Sequence, residues 1–292
     1  MVLTDFKIII YKNEKIFKKI AIILFFTGCG IVDQFNKSNI SVDSTSSSFM
    51  KSVVNNLDPH ITDKYSFEYS AEFNCVDLLL ENKTESCISS QKFTKEDSLK
   101  LYDSGLIPRQ ALLGADGVIA VVHNSNTVEI IEEMELRKTF TGDIQFWDEV
   151  GGFSTQIITY IQKNEIGDLF KSLVLKDDKF FDLAIEVDNT DSMIVSILDD
   201  FNGIGFVRVS DLPKIITKIK MLSIAYPEKD FIAIPLYNNI LSGEYPFAHQ
   251  FYLQTIQKNN DVINPLLKSF SSSSTKKIIK NAGFIPIMKN RK

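Results

Sequence analysis

Short apolar segments and helical segments alternate along most of this chain. Residues 39–42 (NISV) predict the first strand and residues 49–57 predict the first helix. Further strands are predicted at 85–90, 117–122, 157–161, 184–187 and 204–209, and further helices at 76–82, 127–140, 168–174 and 190–200. Such alternation is typical of parallel sheets covered by helices, so we expect an α/β fold. The length of 292 residues allows one large core or two smaller ones.

The amino terminus has the features of an export signal. A lysine-rich segment precedes the apolar run 20–26 (IAIILFF), and the sequence TGC follows at 27–29. The run is too short to span a bilayer as a mature helix, and this order of segments is typical of a secretory signal peptide. We predict a signal peptide over 1–28, lipidation of Cys29 and a tether over 29–37, which gives an extracytoplasmic protein on a lipid anchor. An ordinary cleaved signal, or a start codon assigned too far upstream, is the alternative.

The composition argues against several classes of protein. Hydrophobic residues make up 44% of the chain, which is not typical of disordered proteins. The formal net charge is −5 and the leader is itself basic, so we expect no nucleic-acid partner. His60, His123 and His249 lack metal-ligand spacing, and no P-loop or nucleophile-elbow motif appears. We therefore predict no metal, no cofactor and no enzymatic activity.

Residues 140–152 (FTGDIQFWDEVGG) form the most informative single motif. Gly142 follows a predicted helix at the position where a left-handed C-cap favours glycine. Trp147 is the only tryptophan, and a glycine pair ends the motif. From these residues alone, a capped helix followed by a packed loop explains the motif.

Elsewhere, SSSST (271–275) predicts the N-cap of the final helix.

The motif resembles a second-lobe segment of phosphate-binding proteins from phosphate ABC importers. Four further segments are similar to that family in the same order: GADGVIAVVHNSN (114–126), FNGIGFVRVSD (201–211), GEYPFAHQFYLQT (243–255) and IIKNAGFIPI (278–287). The resemblance implies a two-lobed periplasmic binding protein-like type II fold. Each lobe is then a mostly parallel sheet covered by helices, and two crossing strands serve as the hinge. The implied limits are 38–118 plus 245–292 for lobe I and 119–244 for lobe II.

A serine-rich segment is the first candidate ligand loop. Residues 43–48 (DSTSSS) lie between the first strand and the first helix, where free backbone amides favour an oxyanion. An ordinary helix N-cap explains the same residues. The resemblance implies that Ser44, Thr45 and Ser46 match hydroxyl ligands of the family, although Asp43 stands in place of a glycine.

Ser89 and Ser90 are the second candidate. They end a predicted strand, and ligands of open α/β sheets bind beyond the carboxyl ends of strands. The resemblance implies that they match another ligand position, with Gln91 in place of an arginine. A glutamine donates hydrogen bonds but carries no charge.

The remaining implied ligand positions depart most from the family. Glu72 stands where the family has a serine before the second helix. Gln162 replaces an arginine, Ile166 a serine and Asp168 a threonine, while Gly167 matches. The loss of a guanidinium removes a bidentate partner for phosphate, and the added carboxylates would repel an anion.

The remaining cations are not readily placed at this site. Lys163 either points inward beside the ligand or stays in solvent. Arg137 is predicted on an exposed helix face, and Arg109 and Arg208 receive no place in the cleft.

Cys75 and Cys87 are the other two cysteines. An oxidising compartment would allow them to pair. Because Cys75 is predicted to begin a helix and Cys87 to lie in the following strand, we expect a separation beyond disulfide reach. Two buried free thiols are therefore favoured, with a disulfide as the alternative.

Two functions follow from these observations. The first is a monomeric receptor that binds inorganic phosphate or another small anion between its lobes and delivers it to an ABC permease in the cytoplasmic membrane. The second is an interaction or sensory lipoprotein that keeps the scaffold but has lost or altered its anion specificity. Hydrolytic activity would need a nucleophile–base pair, which the sequence does not show.

Overall fold

The computed structural model describes residues 37–71, 73–211 and 217–287. The predicted signal peptide, Cys29 and nearly all of the tether lie outside the described residues, as does Glu72. Over the described ranges, the structure contains no helix whose length and apolar character would let it cross a membrane.

Strands and helices alternate through both predicted lobes. The strands are β1 Ser38–Asp43, β2 Tyr65–Ser70, β3 Ser86–Ser89, β4 Pro108–Val122, β5 Ile130–Glu132, β6 Ile158–Ile161, β7 Ile185–Glu186, β8 Gly203–Arg208, β9 Lys220–Met221, β10 Ser223–Tyr226, β11 Phe231–Ala233, β12 Ala248–Ile256 and β13 Ile285–Pro286. The helices are α1 Ser47–Val54, α2 Pro59–Thr62, α3 Cys75–Leu80, α4 Lys95–Asp103, α5 Glu133–Thr141, α6 Glu165–Phe170, α7 Thr190–Asp199, α8 Tyr237–Ser242, α9 Asn260–Phe270 and α10 Ser273–Asn281.

One long sheet connects the two lobes. Its strand order is β2-β1-β3-β12-β4-β8-β6-β7, and β9 and β13 also pair with β4. The outer strands are parallel on both sides, since β1 pairs with β2 and β3, and β6 pairs with β7 and β8. The central strands β12 and β4 are antiparallel to each other and are the two crossing strands. The predicted α/β architecture is therefore confirmed.

Each lobe has its own aromatic core. In lobe I, Phe49 stacks on Phe251 with 4.2 Å between ring centroids. In lobe II, Phe170 stacks on Phe206 at 4.1 Å. Burial of one such side chain contributes about 1.5–3 kcal/mol. Each aromatic cluster therefore stabilises the lobe in which it lies. Strand β4 supplies buried residues to both cores, which joins the lobes through the sheet. The exact lobe limits stay a prediction.

Both predicted helix caps are confirmed. Gly142 ends α5 with φ of +89°, and a Cβ at this position would overlap the ring of Phe181. Ser272 is the N-cap of α10, and its side chain accepts a hydrogen bond from the Thr275 N–H. Local sequence signals set these two helix ends because the capping contacts span only a few residues.

The helix predicted over 127–140 is partly wrong. Residues Ile130–Glu132 form strand β5, and the helix begins at Glu133. β5 pairs in parallel with residues 223–225 of β10, so a contact distant in sequence overrides the local helical spacing. The helix predicted over 190–200 is observed as α7, which ends at Asp199, and β8 begins at Gly203.

The favoured prediction of two free thiols is also wrong. Cys75 begins α3 and Cys87 lies in β3, as expected, but their Cα atoms are only 5.9 Å apart and the sulfurs form a disulfide. The chain turns back after α3, and the helix packs against the strand that follows it. This places both residues within the usual range for a disulfide.

Candidate functional site

A cavity of about 310 Å³ lies between the two lobes above the crossing strands. Hydroxyl residues of lobe I form one side, here called the lobe I wall: Ser44, Thr45 and Ser48. Charged residues of lobe II form the other side, here called the lobe II wall: Glu165, Asp168 and Arg208. The floor includes Asp116 of β4 and His249 of β12, which are partners in the strand register.

A larger cavity of about 570 Å³ lies within lobe II, between α5 and the turn after β10. The predicted ligand residues that the structure describes do not line it. The cavity between the lobes is the stronger candidate because the first predicted ligand loop, the second lobe and both crossing strands meet there.

Asp43 orders the lobe I wall. Its buried carboxylate accepts the backbone N–H of Ser46 at 2.6 Å and the backbone N–H of Ser90 at 2.9 Å. The Thr45 hydroxyl lies 2.9 Å from Oδ1 of Asp43 and 2.8 Å from the Ser90 hydroxyl. The acid that replaces the family glycine is therefore satisfied by hydrogen bonds, and it fixes the two serine-rich loops to each other.

Arg208 dominates the lobe II wall. It is the last residue of β8, and only 14% of its side chain is exposed. One guanidinium nitrogen lies 3.3 Å from Oδ2 of Asp116, and the other lies 3.6 Å from Oε2 of Glu165. The guanidinium also lies over the ring of Phe284, 5.4 Å from its centroid, where a cation is attracted to the aromatic face.

The two titratable groups of the floor both have shifted pKa values. Burial raises the pKa of Asp116 to about 6, against the lowering effects of Arg208 and of the Gly117 N–H. Burial also lowers the pKa of His249, and Asp43 offsets part of that shift. A histidine with a lowered pKa is neutral at pH 7. Among the described residues that line the cavity, Arg208 is thus the one cation at that pH.

The comparisons with known proteins agree with this architecture. A family model described as the PBP superfamily domain matches residues 35–274, which is most of the chain. The chain belongs to the PBP superfamily. The relationship and the fold predicted from the sequence motifs are therefore confirmed. A comparison with curated proteins found no match.

Solved structures share the fold of this PBP-superfamily chain at low sequence identity. A possible phosphate binding protein from Planctomyces limnophilus DSM 3776 has a TM-score of 0.70 and 18% identity, with 86% of this chain and 94% of that chain covered. PstS from Borrelia burgdorferi has a TM-score of 0.66 and 20% identity, with coverage of 87% and 100%. An ABC-type phosphate transport receptor from Vibrio cholerae has a TM-score of 0.57 and 19% identity, with coverage of 86% and 100%.

The structure brings some of the predicted ligand residues of this PBP-superfamily chain to the cavity. Ser44, Thr45 and Asp168 line it and are exposed. Ser46 is buried beneath the loop, and its hydroxyl has no hydrogen-bond partner among the described residues. Ser90 contacts Thr45 at the edge of the lobe I wall.

Ser89 faces a different hollow from the cavity between the lobes. Its hydroxyl accepts the N–H of Gln91 at 3.1 Å. Both residues line a separate cavity of about 210 Å³ near the disulfide. Their ligand role stays a prediction.

The start of α6 is satisfied by its own residues. The side chain of Asn164 accepts the N–H groups of Ile166 and Gly167 at 3.0 and 3.3 Å. Gly167 is buried, and a Cβ there would overlap the carbonyl oxygen of Gln162. This close approach favours a glycine at this position whether or not it contacts a ligand.

Neither Gln162 nor Lys163 supplies a charge to the cavity. Gln162 is fully buried, donates to the carbonyl of Phe206 and accepts from Asn164. Lys163 forms an ion pair with Glu186 at 2.7 Å, and 64% of its side chain is exposed. The lysine thus pairs on the surface instead of facing an anion.

Arg208 is the cavity residue that the sequence analysis did not place in the cleft. A signal was present, since Arg208 is the last residue of a strand and ligands bind beyond strand carboxyl ends. Asp116 lies in the GADG segment of the crossing strand, which was identified for its fold and not for its charge. Glu165 gave no local signal, because only the meeting of the lobes brings it beside Ser48.

Proposed function

We propose that this chain is an extracytoplasmic solute-binding protein of an ABC importer. It binds a small oxyanion, most simply inorganic phosphate, between its lobes and delivers it to a permease in the membrane. The observation that carries the proposal is the single cavity lined by the hydroxyls of Ser44 and Thr45 from one lobe and by the guanidinium of Arg208 from the other. The proposal assigns the chain no catalytic step.

The chemistry of these groups suits an oxyanion. Hydroxyls donate single hydrogen bonds, and a guanidinium offers paired N–H donors together with a charge. The cavity of about 310 Å³ lies at the lower end of the range for small-molecule sites, roughly 300–1,000 Å³. Closure of two lobes around such a ligand would bring the donors of both walls to it at once.

The similar structures lend support to phosphate as the first ligand to test. Two of these proteins are described as a possible phosphate binding protein and as an ABC-type phosphate transport receptor. At 18–20% identity these similarities show the fold, so the ligand itself is our proposal.

Calorimetry tests the proposal directly. Phosphate is titrated into the purified full-length protein, with sulfate in a parallel experiment, and thermal stability is followed at the same concentrations. We expect heat of binding and a rise in Tm with phosphate, because a ligand that binds only the folded state stabilises it. The absence of both at millimolar phosphate would contradict the proposal.

A matched pair of variants locates the site. The double variant Ser44→Ala/Thr45→Val removes two hydroxyls from the lobe I wall and should weaken phosphate binding about tenfold or more, at about 1 kcal/mol for each hydrogen bond. Ser154→Ala removes an exposed hydroxyl from lobe II outside the cavity and should leave binding unchanged.

The second candidate function is an interaction or sensory lipoprotein with lost or altered anion specificity. The observation in its favour is the excess of acids in the cavity, which Asp116, Glu165 and Asp168 line together with Arg208. Like charges would oppose a dianion in a partly enclosed cleft. The same titration separates the two functions, since this alternative requires no response to phosphate.

The lipid anchor on Cys29 is a further part of the proposal. Two or more acyl chains would hold the protein to a membrane more firmly than one chain. In cells, Cys29→Ser should move the protein from the membrane fraction to the soluble fraction. Retention of the variant in the membrane would contradict lipidation at this residue.

A further inference from the structure

One glutamate carboxylate contacts residues of both lobes at the cavity between them. Glu165 is the first residue of α6 in lobe II, and 75% of its side chain is exposed. Its Oε2 atom accepts a hydrogen bond from the hydroxyl of Ser48 in lobe I at 3.3 Å. The same oxygen lies 3.6 Å from a guanidinium nitrogen of Arg208.

The two acids beside Arg208 differ in how tightly they are held. Asp116 is 5% exposed at its side chain, and it also accepts the Gly117 N–H at 2.8 Å. Glu165 reaches the guanidinium from the solvent side of the cavity, and 75% of its own side chain is exposed, whereas Arg208 is largely buried. A carboxylate that stays largely in water loses little hydration when it leaves its partner, whereas breaking a pair between two buried groups is costly, so an incoming anion can displace Glu165 more easily than Asp116.

Glu165 also makes the contacts that an oxyanion needs at this site. It accepts from a hydroxyl of lobe I and pairs with the guanidinium of lobe II through one oxygen atom. A negatively charged oxygen at this point links the two lobes, whether it belongs to the protein or to a ligand.

We propose that Glu165 is an internal anion that holds the unliganded cleft closed and competes with the ligand for Arg208. The proposal rests on the anion site of the proposed function and names the residue that sets its affinity. A ligand oxyanion takes the place of the Glu165 carboxylate between Ser48 and Arg208, and the glutamate side chain turns to solvent. The measured affinity is then lower than the site alone would give, because the competitor is part of the protein.

Two substitutions of Glu165 test this. Glu165→Gln removes the charge and keeps the shape, and Glu165→Ala removes both the charge and the acceptor for Ser48. Glu186→Gln is the matched control, because Glu186 is an exposed acid of the same lobe that pairs with Lys163 outside the cavity. Thermal unfolding shows that all three variants are folded before other measurements are compared.

The first readout needs no ligand. Small-angle X-ray scattering of the unliganded full-length protein should give a larger radius of gyration for Glu165→Ala than for the wild type and Glu186→Gln. If the three scattering curves coincide, Glu165 does not hold the cleft closed and the proposal is overturned. Because no ligand is needed, the scattering tests closure by Glu165 even if the wild type binds no phosphate. Failure of the proposed phosphate binding is detected separately by calorimetry.

The second readout is phosphate affinity by calorimetry. Loss of a competing exposed charge should make phosphate bind roughly three- to tenfold tighter to Glu165→Gln than to the wild type, with no change in Glu186→Gln. Equal or weaker binding to Glu165→Gln would overturn the competition. Absence of heat in every variant would overturn the proposed phosphate site, while the scattering result would still decide the closure.

Discussion

The two walls of the cavity differ in the groups that they present to a ligand. The lobe I wall presents neutral hydroxyls, and the single acid behind them, Asp43, is buried and bonded to the backbone of both loops. The lobe II wall presents charges, with Arg208 held between an acid of the floor and an acid of α6. One wall is therefore ordered before a ligand arrives, and the other must exchange an internal partner for the ligand.

The two walls are therefore expected to contribute differently to ligand affinity and specificity. Hydroxyl donors held in place cost little to reorganise, so they favour any small oxyanion of suitable shape. A guanidinium that already has two carboxylate partners favours only a ligand that replaces one of them. We therefore expect changes in the lobe II wall to alter affinity most, and changes behind the lobe I wall to lower stability together with a smaller loss of affinity.

The largest effect is expected from Arg208→Met. The substitution removes the cation and leaves Asp116 buried without its charged partner, which costs about 3–5 kcal/mol when a buried pair is broken. Phosphate binding should be lost, and urea unfolding should show the lower stability. Adding Asp116→Asn to the variant should restore part of the stability but none of the binding.

Arg137→Met is the control for this prediction. Arg137 pairs with Asp178 at 2.6 Å, but the side chain of the aspartate is 53% exposed. The substitution should therefore lower the free energy of unfolding by at most about 1 kcal/mol. If Arg208→Met were as stable as Arg137→Met, the buried pair would not support the cleft.

The disulfide supports the lobe I wall from behind. Cys75 and Cys87 are 12 residues apart, and a loop of that size is expected to stabilise the fold by about 3 kcal/mol. Replacement of both by alanine should lower the unfolding free energy by that amount. Because β3 leads into Ser90, which contacts Thr45, a modest loss of phosphate affinity should accompany it. An unchanged denaturation midpoint would show that the bridge does not stabilise this lobe.

Asp43→Asn tests the order of the lobe I wall. The asparagine keeps one acceptor oxygen but loses the charge that holds two backbone N–H groups, at a cost of about 2 kcal/mol. Phosphate affinity should fall several-fold because the hydroxyls lose their fixed positions. Asp58→Asn is the matched control, since Asp58 accepts the His60 N–H at 2.9 Å on an exposed helix end. Equal affinities for the two variants would count against preorganisation by Asp43.

A pH dependence of stability is expected from Asp116. Its pKa is about 6 in the folded protein, above the ordinary value of 3.8, so the folded state binds the extra proton. The contribution of Asp116 to stability is therefore highest below pH 4 and falls as the pH rises to about 6. The slope is at most about 1.4 kcal/mol per pH unit.

Asp116→Asn isolates this contribution. The unfolding free energies of the wild type and the variant are measured from pH 4 to pH 7. As the pH rises, the wild type should lose stability relative to the variant. His249, whose pKa is lowered by burial, has the opposite dependence, but it is present in both proteins. A difference that does not change with pH would contradict a raised pKa at Asp116.

Much of the architecture was predictable from short stretches of sequence. The strand and helix alternation and the caps at Gly142 and Ser272 depend on contacts within a few residues. The family motifs pointed to a two-lobed fold that the family match confirms. The helix predicted through residues 130–132 failed because a distant strand pairs there.

Local hydrogen bonds and periodicity were enough to predict the α/β class, the helix caps at Gly142 and Ser272, and the two serine-rich loops. Only the tertiary structure decided that Arg208 lies in the cleft, that Cys75 pairs with Cys87, and that Glu165 reaches Ser48 across it. The physical reason is distance along the chain. Ser48 and Glu165 are 117 residues apart, and no local propensity can specify a contact that depends on how two lobes meet.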